Sequence, residues 1–227
     1  MSRLQLVKQW SCQGRGDLIL IEAPENRRQA ETFIRDQFRQ EHNARLSHFA
    51  RHLVALTDAE LRIQACVGFQ GAQETPLFLE QYLDQPIEQR LSQLEGRRVP
   101  RHSILEVGNL ASRYSGCTRR IILSLGHYFL QQGYQWLVIT ATPRVLNSFA
   151  KLGVGLELIP LAAARPERLG AQGADWGTYY DQQPMVVAGR FSHGLQQLLG
   201  NPILARLIRR APPLISDRNI LIAEQVA

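Results

Sequence analysis

The sequence of 227 residues has few cysteines, few lysines and no long apolar run. Its three cysteines, Cys12, Cys66 and Cys117, are scattered and odd in number, which argues against a disulfide framework and favours a reducing compartment. No stretch reaches the roughly 18 apolar residues of a membrane-spanning helix, and the N-terminus lacks the apolar core of a secretion signal. We therefore expect a cytoplasmic protein, with peripheral contact to the inner membrane face left open.

Only Lys8 and Lys151 are lysines, so arginine supplies nearly all of the positive charge behind the formal net charge of +6. The planar guanidinium suits carboxylate and phosphate partners. Candidate partners are a phosphopantetheine thioester, an acidic carrier protein, a membrane surface and nucleic acid. Nucleic acid is not expected, because the chain has no zinc-ligand spacing, basic zipper or RNA-binding signature; no metal site is predicted either. A solvated basic surface without a partner is the alternative.

The composition, 44% hydrophobic and 20% charged, is typical of a globular domain with a sizeable core. A basic apolar C-terminal stretch divides the chain into a predicted α/β domain, residues 1–190, and a basic amphipathic tail, residues 191–227. Within the tail, leucines and isoleucines recur at helical spacing over residues 195–208, with arginines nearby. We expect this helical tail to pack on its own domain, on a second subunit or on an anionic membrane surface.

Hydrophobic period and turn residues predict a mixed sheet with helices on both sides. In order, the predicted elements are strand 18–23, helix 26–42, strands 53–56 and 62–68, strand 77–82, helix 87–94, strand 104–110, helix 118–132, strand 134–140, helix 143–152, strand 156–161 and strand 185–188. The first half forms antiparallel pairs. The strand–helix–strand–helix–strand order that follows predicts parallel crossovers, and residues 170–177 are expected to form a loop.

Residues 104–120 place a strand, a loop of small residues and a helix N-terminus in direct succession. The unpaired N–H groups of a first helical turn, together with the helix dipole, favour an anion. The predicted phosphate contacts are Ser112, Arg113, Ser115, Gly116, Thr118, Arg119 and Arg120. The alternative is an ordinary crossover turn that binds nothing.

This order of elements resembles the GNAT-type acyltransferase fold. EVGNLASRYSGCTRR stands where that family places its pyrophosphate loop, although Gly116 is the only glycine after the strand; YQWLVITAT resembles the next strand. NSFAKLGV, which begins at Asn147, resembles the helix that flanks the pantetheine arm. The resemblance implies a GNAT-like fold, acyl-CoA or acyl-carrier-protein phosphopantetheine as donor substrate, Asn147 beside it, and no permanently bound cofactor.

Two narrower resemblances add detail. Acyl-homoserine-lactone synthases carry a glutamate followed three residues later by an arginine on this strand. Glu106 matches, but Asn109 replaces the arginine, so their lactone-forming substrate is not transferred.

The stretches ARLSHFARHLVAL, PLFLEQYLDQPIEQ, EVGNLA and WGTYYDQQPMVVAG resemble the thermostable haemolysin family. That name describes cell lysis and not a reaction.

Acyl transfer to an amine requires removal of a proton, and Glu106 is the predicted base. The alternative is a structural carboxylate paired with Arg101 or Arg113. Asn109 is predicted to orient the acceptor or a water, or else to satisfy a bulged strand. Cys117 at a helix N-terminus is a further candidate nucleophile, without a supporting motif.

Three aromatic residues near the end of the predicted domain, Trp176, Tyr179 and Tyr180, are predicted to wall the acyl channel or the acceptor pocket. Packing of an edge strand is the alternative. Glu80 and Asp84 are candidates for binding a cationic acceptor group, against a solvated role.

We therefore predict an acyltransferase that moves a fatty acyl group from acyl-carrier protein or acyl-CoA to a small amine, with an amino-acid-like acceptor. One alternative is a membrane-active lytic protein that uses the fold as a scaffold. Another is a binder of acyl thioesters without turnover. An oligomer is left open.

Overall fold

The structure, a computed structural model, describes residues 16–151, 157–191, 213–217 and 222. Its strands are β1 (Leu18–Ile21), β2 (His52–Thr57), β3 (Ile63–Gly71), β4 (Ile104–Ser112), β5 (Trp136–Ala141), β6 (Leu158–Ala163), β7 (Met185–Arg190) and β8 (Leu214–Ser216). Its α-helices are α1 (Pro24–His42), α2 (Ile87–Glu95), α3 (Ser115–Gln131) and α4 (Pro143–Lys151). The eight described strands form the predicted mixed sheet, in the order β6-β7-β5-β4-β3-β2-β1-β8.

The antiparallel half of the sheet confirms the predicted strand, helix and hairpin. α1 begins at Pro24, whose fixed φ suits a first turn, and ends before Asn43, which adopts φ 53°. Its apolar side packs Phe33 and Ile34 against one face of β1, β2 and β3. Burial of each of these two side chains stabilises the fold by about 2 kcal/mol.

The opposite face of the sheet is covered by α3. Ile121, Leu125 and Phe129 recur along this helix at the predicted spacing and pack against alternate residues of the central strands. Helices on both faces therefore enclose the central strands, as expected for a mixed sheet with parallel crossovers.

The start of α1 is held by a residue from the far end of the chain. Asp217 accepts hydrogen bonds from the N–H groups of Glu22 and Ala23 at 2.9 and 3.0 Å, and from Asn26 Nδ2 at 2.8 Å. The preceding strand, β8, pairs in parallel with β1. The sequence pattern did not predict β8, because an edge strand of three residues has no detectable period.

The division at residue 190 stays a prediction. β8 belongs to the proposed tail and lies at the edge of the sheet, whereas the amphipathic stretch 195–208 falls outside the described residues. Its predicted contact with the domain, a subunit or a membrane is therefore untested.

Residues 77–82 do not form the predicted strand, since Phe78–Tyr82 is a 3-10 helix. Carboxylates hold the backbone N–H groups here. Glu80 accepts from Leu77 N at 2.8 Å, and Glu106 accepts from Phe78 N and Leu79 N at 2.8 and 2.9 Å. The N–H groups therefore need no neighbouring strand, and the alternating apolar residues pack within a turn instead.

The second half of the sheet contains both predicted parallel crossovers, but only the first joins strands that are neighbours. β4 and β5 are parallel neighbours joined by α3. β6, however, is separated from β5 by β7, which is antiparallel to both. Val186, Val187 and Ala188 of β7 are buried, which favours an interior strand, whereas β6 carries Pro160, which favours an edge.

The segment between β6 and β7 is more regular than the predicted loop. Pro166–Trp176 forms 3-10 turns that break at Gly170, where φ is 55°. This excursion returns the chain to the sheet edge and lets β7 enter between β5 and β6. It also brings the aromatic residues that follow it towards the middle of the molecule.

Candidate active site

β4 and β5 separate halfway along β4. Their parallel pairing ends at Val107 and Ile139, although both strands continue. On the other edge of β4, the register with β3 shifts between Cys66 and Gly68, which marks a β-bulge. A bulge bends its strand, so the second half of β4 turns away from β5. The separated strands open a groove in the sheet.

Asn109 lies at the bulge, with a φ of 49°. Non-glycine residues rarely adopt this conformation, and asparagine tolerates it better than most. Asn109 Oδ1 accepts from Ala50 N at 2.8 Å, and Asn109 Nδ2 donates to His48 O at 3.4 Å. Gly68 leaves room for this amide, because a Cβ there would lie 2.9 Å from Asn109 Oδ1. Asn109 thus satisfies a bulged strand, one of its two predicted roles, and holds residues 48–50.

A cavity of about 210 Å³ occupies the groove. It is bounded by the second half of β4, the beginning of α3, one side of α4 and the end of α1. The predicted site residues in its lining are Glu106, Asn109, Ser112, Arg113, Thr118, Trp176 and Tyr179. The groove therefore connects the predicted phosphate loop with Glu106.

Other predicted contacts lie outside the described lining, namely Gly116, Arg119, Arg120, Asn147 and Tyr180. Arg120 donates to Gly16 O at 2.8 Å, away from the cavity. Asn147 is exposed on α4, whose Val145 and Ser148 line the cavity. The side chain of Ser115 is not among the described ones.

The first turn of α3 opens onto one end of the cavity. Tyr114 precedes the helix without a side-chain hydrogen bond to it, and its carbonyl accepts from Cys117 N at 3.0 Å. The hydroxyls of Ser112 and Thr118 hydrogen-bond to each other at 2.5 Å. The earlier N–H groups of a first turn have no partner within the helix, and they favour an anion. Phosphate binding at this turn stays a prediction.

Glu106 is 7% exposed and lies where the strands begin to separate. Its Oε2 accepts from Gln70 Nε2 at 3.0 Å and from Phe78 N at 2.8 Å, and its Oε1 accepts from Leu79 N at 2.9 Å. Burial disfavours the charged form and raises the pKa of Glu106 to about 7 in spite of these donors. A carboxyl group of this kind changes charge near neutral pH.

The alternative to a catalytic Glu106 was a structural carboxylate paired with Arg101 or Arg113. Within residues 16–151 and 157–191, neither arginine forms this pair, so the alternative is wrong in that form. Arg101 pairs instead with Glu80 and Glu88 at 2.8 and 2.5 Å. Arg113 donates to a backbone carbonyl of β3 at 3.3 Å. The buried charge of Glu106 is therefore balanced by hydrogen-bond donors and not by a described cation.

Aromatic rings wall the end of the cavity opposite α3. Trp176 lies 5.2 Å from Tyr179 and 5.7 Å from Phe78, measured between ring centroids. Tyr179 also donates through its hydroxyl to Thr140 O at 3.3 Å, which joins this wall to β5. Tyr180 stands behind the lining. The sequence therefore placed two of its three aromatic candidates at the cavity.

Two histidines in the lining were not predicted. His42 ends α1, and His48 lies in the connection between α1 and β2. Burial lowers the pKa of both below the ordinary value, so the neutral ring is favoured. His48 lies within the stretch ARLSHFARHLVAL, but that resemblance assigned no residue role, and the approach of both histidines to β4 results from tertiary contacts that spacing does not reveal.

The remaining sequence candidates are occupied by other contacts. Cys117 is buried and disulfide-bonded, so it is not a free nucleophile. Glu80 is held by Arg101, and Asp84 pairs with Arg168. Both carboxylates border a separate open cleft on the surface.

The described helices include none with the length and apolarity needed to cross a membrane. Across the described side chains, no group of three or more histidine, cysteine, aspartate or glutamate residues is arranged to hold a metal ion.

The architecture is similar to that of solved acyl-transferring synthases. FeeM, an N-acyl amino acid synthase from uncultured soil microbes, is 17% identical, with a TM-score of 0.55 over 84% of this chain and 98% of that one. The acyl-homoserine-lactone synthase LasI is 14% identical, with a TM-score of 0.53 over 79% and 91%. BjaI, a CoA-dependent acyl-homoserine-lactone synthase solved with SAM and isopentyl-CoA, is 12% identical, with a TM-score of 0.53 over 91% and 96%. These similarities show the fold, and the predicted GNAT-like fold is confirmed.

No curated protein sequence matches the chain significantly. The family model described as thermostable hemolysin matches residues 21–195, which is more than half of the sequence. This match spans the hairpin, the bulged strand, the predicted phosphate loop and the aromatic wall. The chain belongs to the thermostable hemolysin family.

Proposed function

We propose that this protein transfers an acyl group from a phosphopantetheine thioester to a small primary amine. The observation that carries the proposal is the groove between β4 and β5, which joins an open helix N-terminus to a pocket walled by Glu106 and aromatic rings. A phosphopantetheine thioester has an anionic end, an extended arm and a reactive carbonyl. The groove offers a counterpart for each.

The donor lies with its phosphates at the first turn of α3, near Ser112 and Thr118, and its arm between β4 and α4. Val145 and Ser148 form the α4 side of this path, and Asn147 stands at its exposed rim. The CoA-dependent synthase solved with isopentyl-CoA supports this class of donor. Acyl-carrier protein presents the same arm and is the second donor we propose.

The acceptor enters from the aromatic end, where Trp176, Tyr179 and Phe78 face the cavity. Flat rings bury apolar surface around a small molecule and attract a cationic group to their faces. Glu106 adds negative charge at the inner end of this pocket whenever it is ionised. An amino-acid-like amine fits these surroundings, and the N-acyl amino acid synthase that shares the fold supports it.

The chemistry requires polarisation of the thioester carbonyl as well as correct placement. Beyond Val107, the edge of β4 faces the groove and not β5. Backbone N–H groups on such an edge stabilise the oxyanion that forms when the amine attacks. One donor of this kind typically contributes about 100- to 1,000-fold in rate.

Purified full-length protein tests the proposal directly. Dodecanoyl-CoA and dodecanoyl-acyl-carrier protein serve as donors, with L-phenylalanine and phenethylamine as acceptors. We expect thiol release that depends on the acceptor, together with an N-dodecanoyl product identified by mass spectrometry. No thiol release from either donor, combined with leakage of liposomes in the absence of any donor, would favour the lytic alternative.

The same experiment separates a third interpretation. Binding of dodecanoyl-CoA without thiol release would indicate a catalytically silent thioester binder. Peripheral membrane contact, oligomer formation and a cytoplasmic location stay predictions, each accessible by liposome sedimentation, light scattering or cell fractionation.

A further inference from the structure

His48 lies in the lining of the cavity, close to the bulge of β4. Its ring stacks on Phe78 at 5.0 Å with an interplanar angle of 23°. Phe78 N donates to Glu106 at 2.8 Å, and Asn109 Nδ2 donates to His48 O at 3.4 Å. The bulge thus holds the His48 backbone, and Glu106 holds the backbone of Phe78, on whose ring the imidazole stacks.

We infer that His48 takes the proton from the acceptor amine, an inference that rests on the proposed acyl transfer. The amine nitrogen attacks the thioester carbonyl carbon, a C–N bond forms, and the carbonyl oxygen becomes an oxyanion. A ring nitrogen of His48 accepts the N–H proton. The oxyanion then re-forms the carbonyl, the C–S bond breaks, and the thiolate takes the proton from His48. The products are an amide and a free thiol, and no further reactant is needed.

Glu106 is less suited to this step than His48. Its two oxygens already accept hydrogen bonds from Gln70, Phe78 and Leu79, and it is 7% exposed. Taking a proton from a substrate would disturb contacts that hold residues 77–82. The ring nitrogens of His48, by contrast, have no hydrogen-bond partner in the part of the chain that the structure describes.

The second histidine in the lining forms part of the wall. His42 is 6% exposed, its Nδ1 lies 3.4 Å from Gln182 Nε2, and its ring meets Tyr179 edge-on at 5.3 Å. These contacts keep His42 on the side of the cavity that faces β5. His48 is the histidine on the side of the bulge, where β4 offers backbone donors to the oxyanion.

The charge state of His48 suits a base. Partial burial against the cavity wall lowers the pKa of His48 below its ordinary value of 6.5, so the ring is mostly neutral at pH 7. The other titratable groups that line the same cavity are Glu41, His42, Tyr82, Glu106, Arg113, Tyr114, Arg144 and Tyr179. Burial raises the pKa of Glu106 to about 7, and a Glu106→Gln background removes that titration from the profile.

The test compares His48→Gln, His48→Phe and His52→Gln with wild type, using dodecanoyl-CoA and phenethylamine. His52 is a matched control, because it stacks on Phe69 at 5.1 Å and hydrogen-bonds Glu74 at 2.9 Å, yet it lies outside the cavity lining. We expect both His48 variants to lower kcat/KM by about 100-fold or more, and His52→Gln to change it by less than about threefold. His48→Phe keeps a ring on Phe78 but accepts no proton, so it separates stacking from catalysis.

The pH dependence gives a second readout. We measure kcat/KM of wild type and of His48→Gln at each pH and take the ratio of the two. Because both enzymes use the same acceptor, the effect of phenethylamine protonation cancels in this ratio. We expect this ratio to be constant above the pKa of His48 and to fall as the pH falls through it, because the protonated ring accepts no proton. The same fall should persist in the Glu106→Gln background.

Two results would overturn the inference. If His48→Gln or His48→Phe transfers the acyl group within about threefold of wild type, His48 is not the base, while the proposed function stands. If the ratio does not change with pH, His48 acts only through packing. Wild-type protein that releases no thiol with either donor and either acceptor would overturn the proposed function itself.

Discussion

Glu80 and Glu106 accept hydrogen bonds from consecutive backbone N–H groups at the start of the same short segment but differ in charge balance. Glu80 accepts from Leu77 N and from Ile87 N, and Glu106 accepts from Phe78 N and Leu79 N. Burial pushes the pKa of both upward. Arg101 and the backbone donors outweigh burial at Glu80, whose pKa is lowered, whereas no described cation pairs with Glu106, whose pKa rises to about 7.

The difference separates a structural carboxylate from one at the candidate site. An ion pair with backbone donors fixes the charge of Glu80 and locks the 3-10 helix to α2 and Arg101. Glu106 also accepts hydrogen bonds from backbone N–H groups, but it borders a cavity and its carboxyl group titrates near neutral pH. Strongly perturbed groups of this kind concentrate at functional sites, although structural networks also produce them.

The sharpest test of this comparison is the pH dependence of stability for Glu106→Gln. Between pH 4.5 and 7, Glu106 is protonated in the folded state and ionised in the unfolded state, so its contribution to stability falls as pH rises. We expect the wild-type minus variant free energy of unfolding to fall by about 3 kcal/mol over this window. Urea unfolding at several pH values measures it.

Glu80→Gln is the matched control and should show the opposite slope. Because the pKa of Glu80 is lowered, its stabilisation is present above the ordinary value of 4.5 and is lost as pH falls through the folded value. Slopes of the same sign in the two variants would show that the two carboxylates do not differ as described.

Removal of the Arg101 cation should make Glu80 resemble Glu106, as a carboxylate without a cationic partner. Arg101→Met leaves the half-buried Glu80 without its cation, and we expect a loss of about 2 kcal/mol in the free energy of unfolding, since the pair is partly exposed. The pKa of Glu80 should rise. Arg35→Met, which removes an exposed pair with Glu31 one turn away on α1, should cost about 0.5 kcal/mol or less. Equal losses in both variants would contradict a special role for Arg101.

The smallest effect is expected at the bulge. Asn109→Ala removes the acceptor for Ala50 N and the donor to His48 O, and should cost about 1 kcal/mol of stability. Acyl transfer should fall about tenfold, which corresponds to a comparable loss in transition-state stabilisation. Asn43→Ala is the control, because Asn43 also has a left-handed φ of 53° but caps α1. Transfer that falls equally in both variants would mean that Asn109 does not position the site.

The sequence was sufficient to predict those helices and strands whose apolar residues recur with a clear helical or strand period. The helix α1, the β2–β3 hairpin and the β4–α3–β5 unit follow from apolar spacing and turn residues, and the GNAT-like resemblance follows from their order. Glu106 and Asn109 were placed on the central strand because their strand was recognised.

The remaining features depend on contacts between distant residues. Residues 77–82 have a strand-like pattern, but two carboxylates, one of them 28 residues away from Phe78, bind their N–H groups. The position of β7 was not predicted, although Pro160 in β6 carried a signal for an edge strand. His48 is held at the cavity by contacts with Asn109 and Phe78, which are distant in sequence, and the family-like stretch around it carried no indication of a role.

The central claim is that the groove between β4 and β5 holds a phosphopantetheine thioester. A crystal structure with a non-hydrolysable thioether analogue of dodecanoyl-CoA tests it most directly. We expect the phosphates at the first turn of α3 and the sulfur between the separated strands, facing Glu106 and His48. An analogue bound elsewhere on the protein, with the groove empty, would contradict the account.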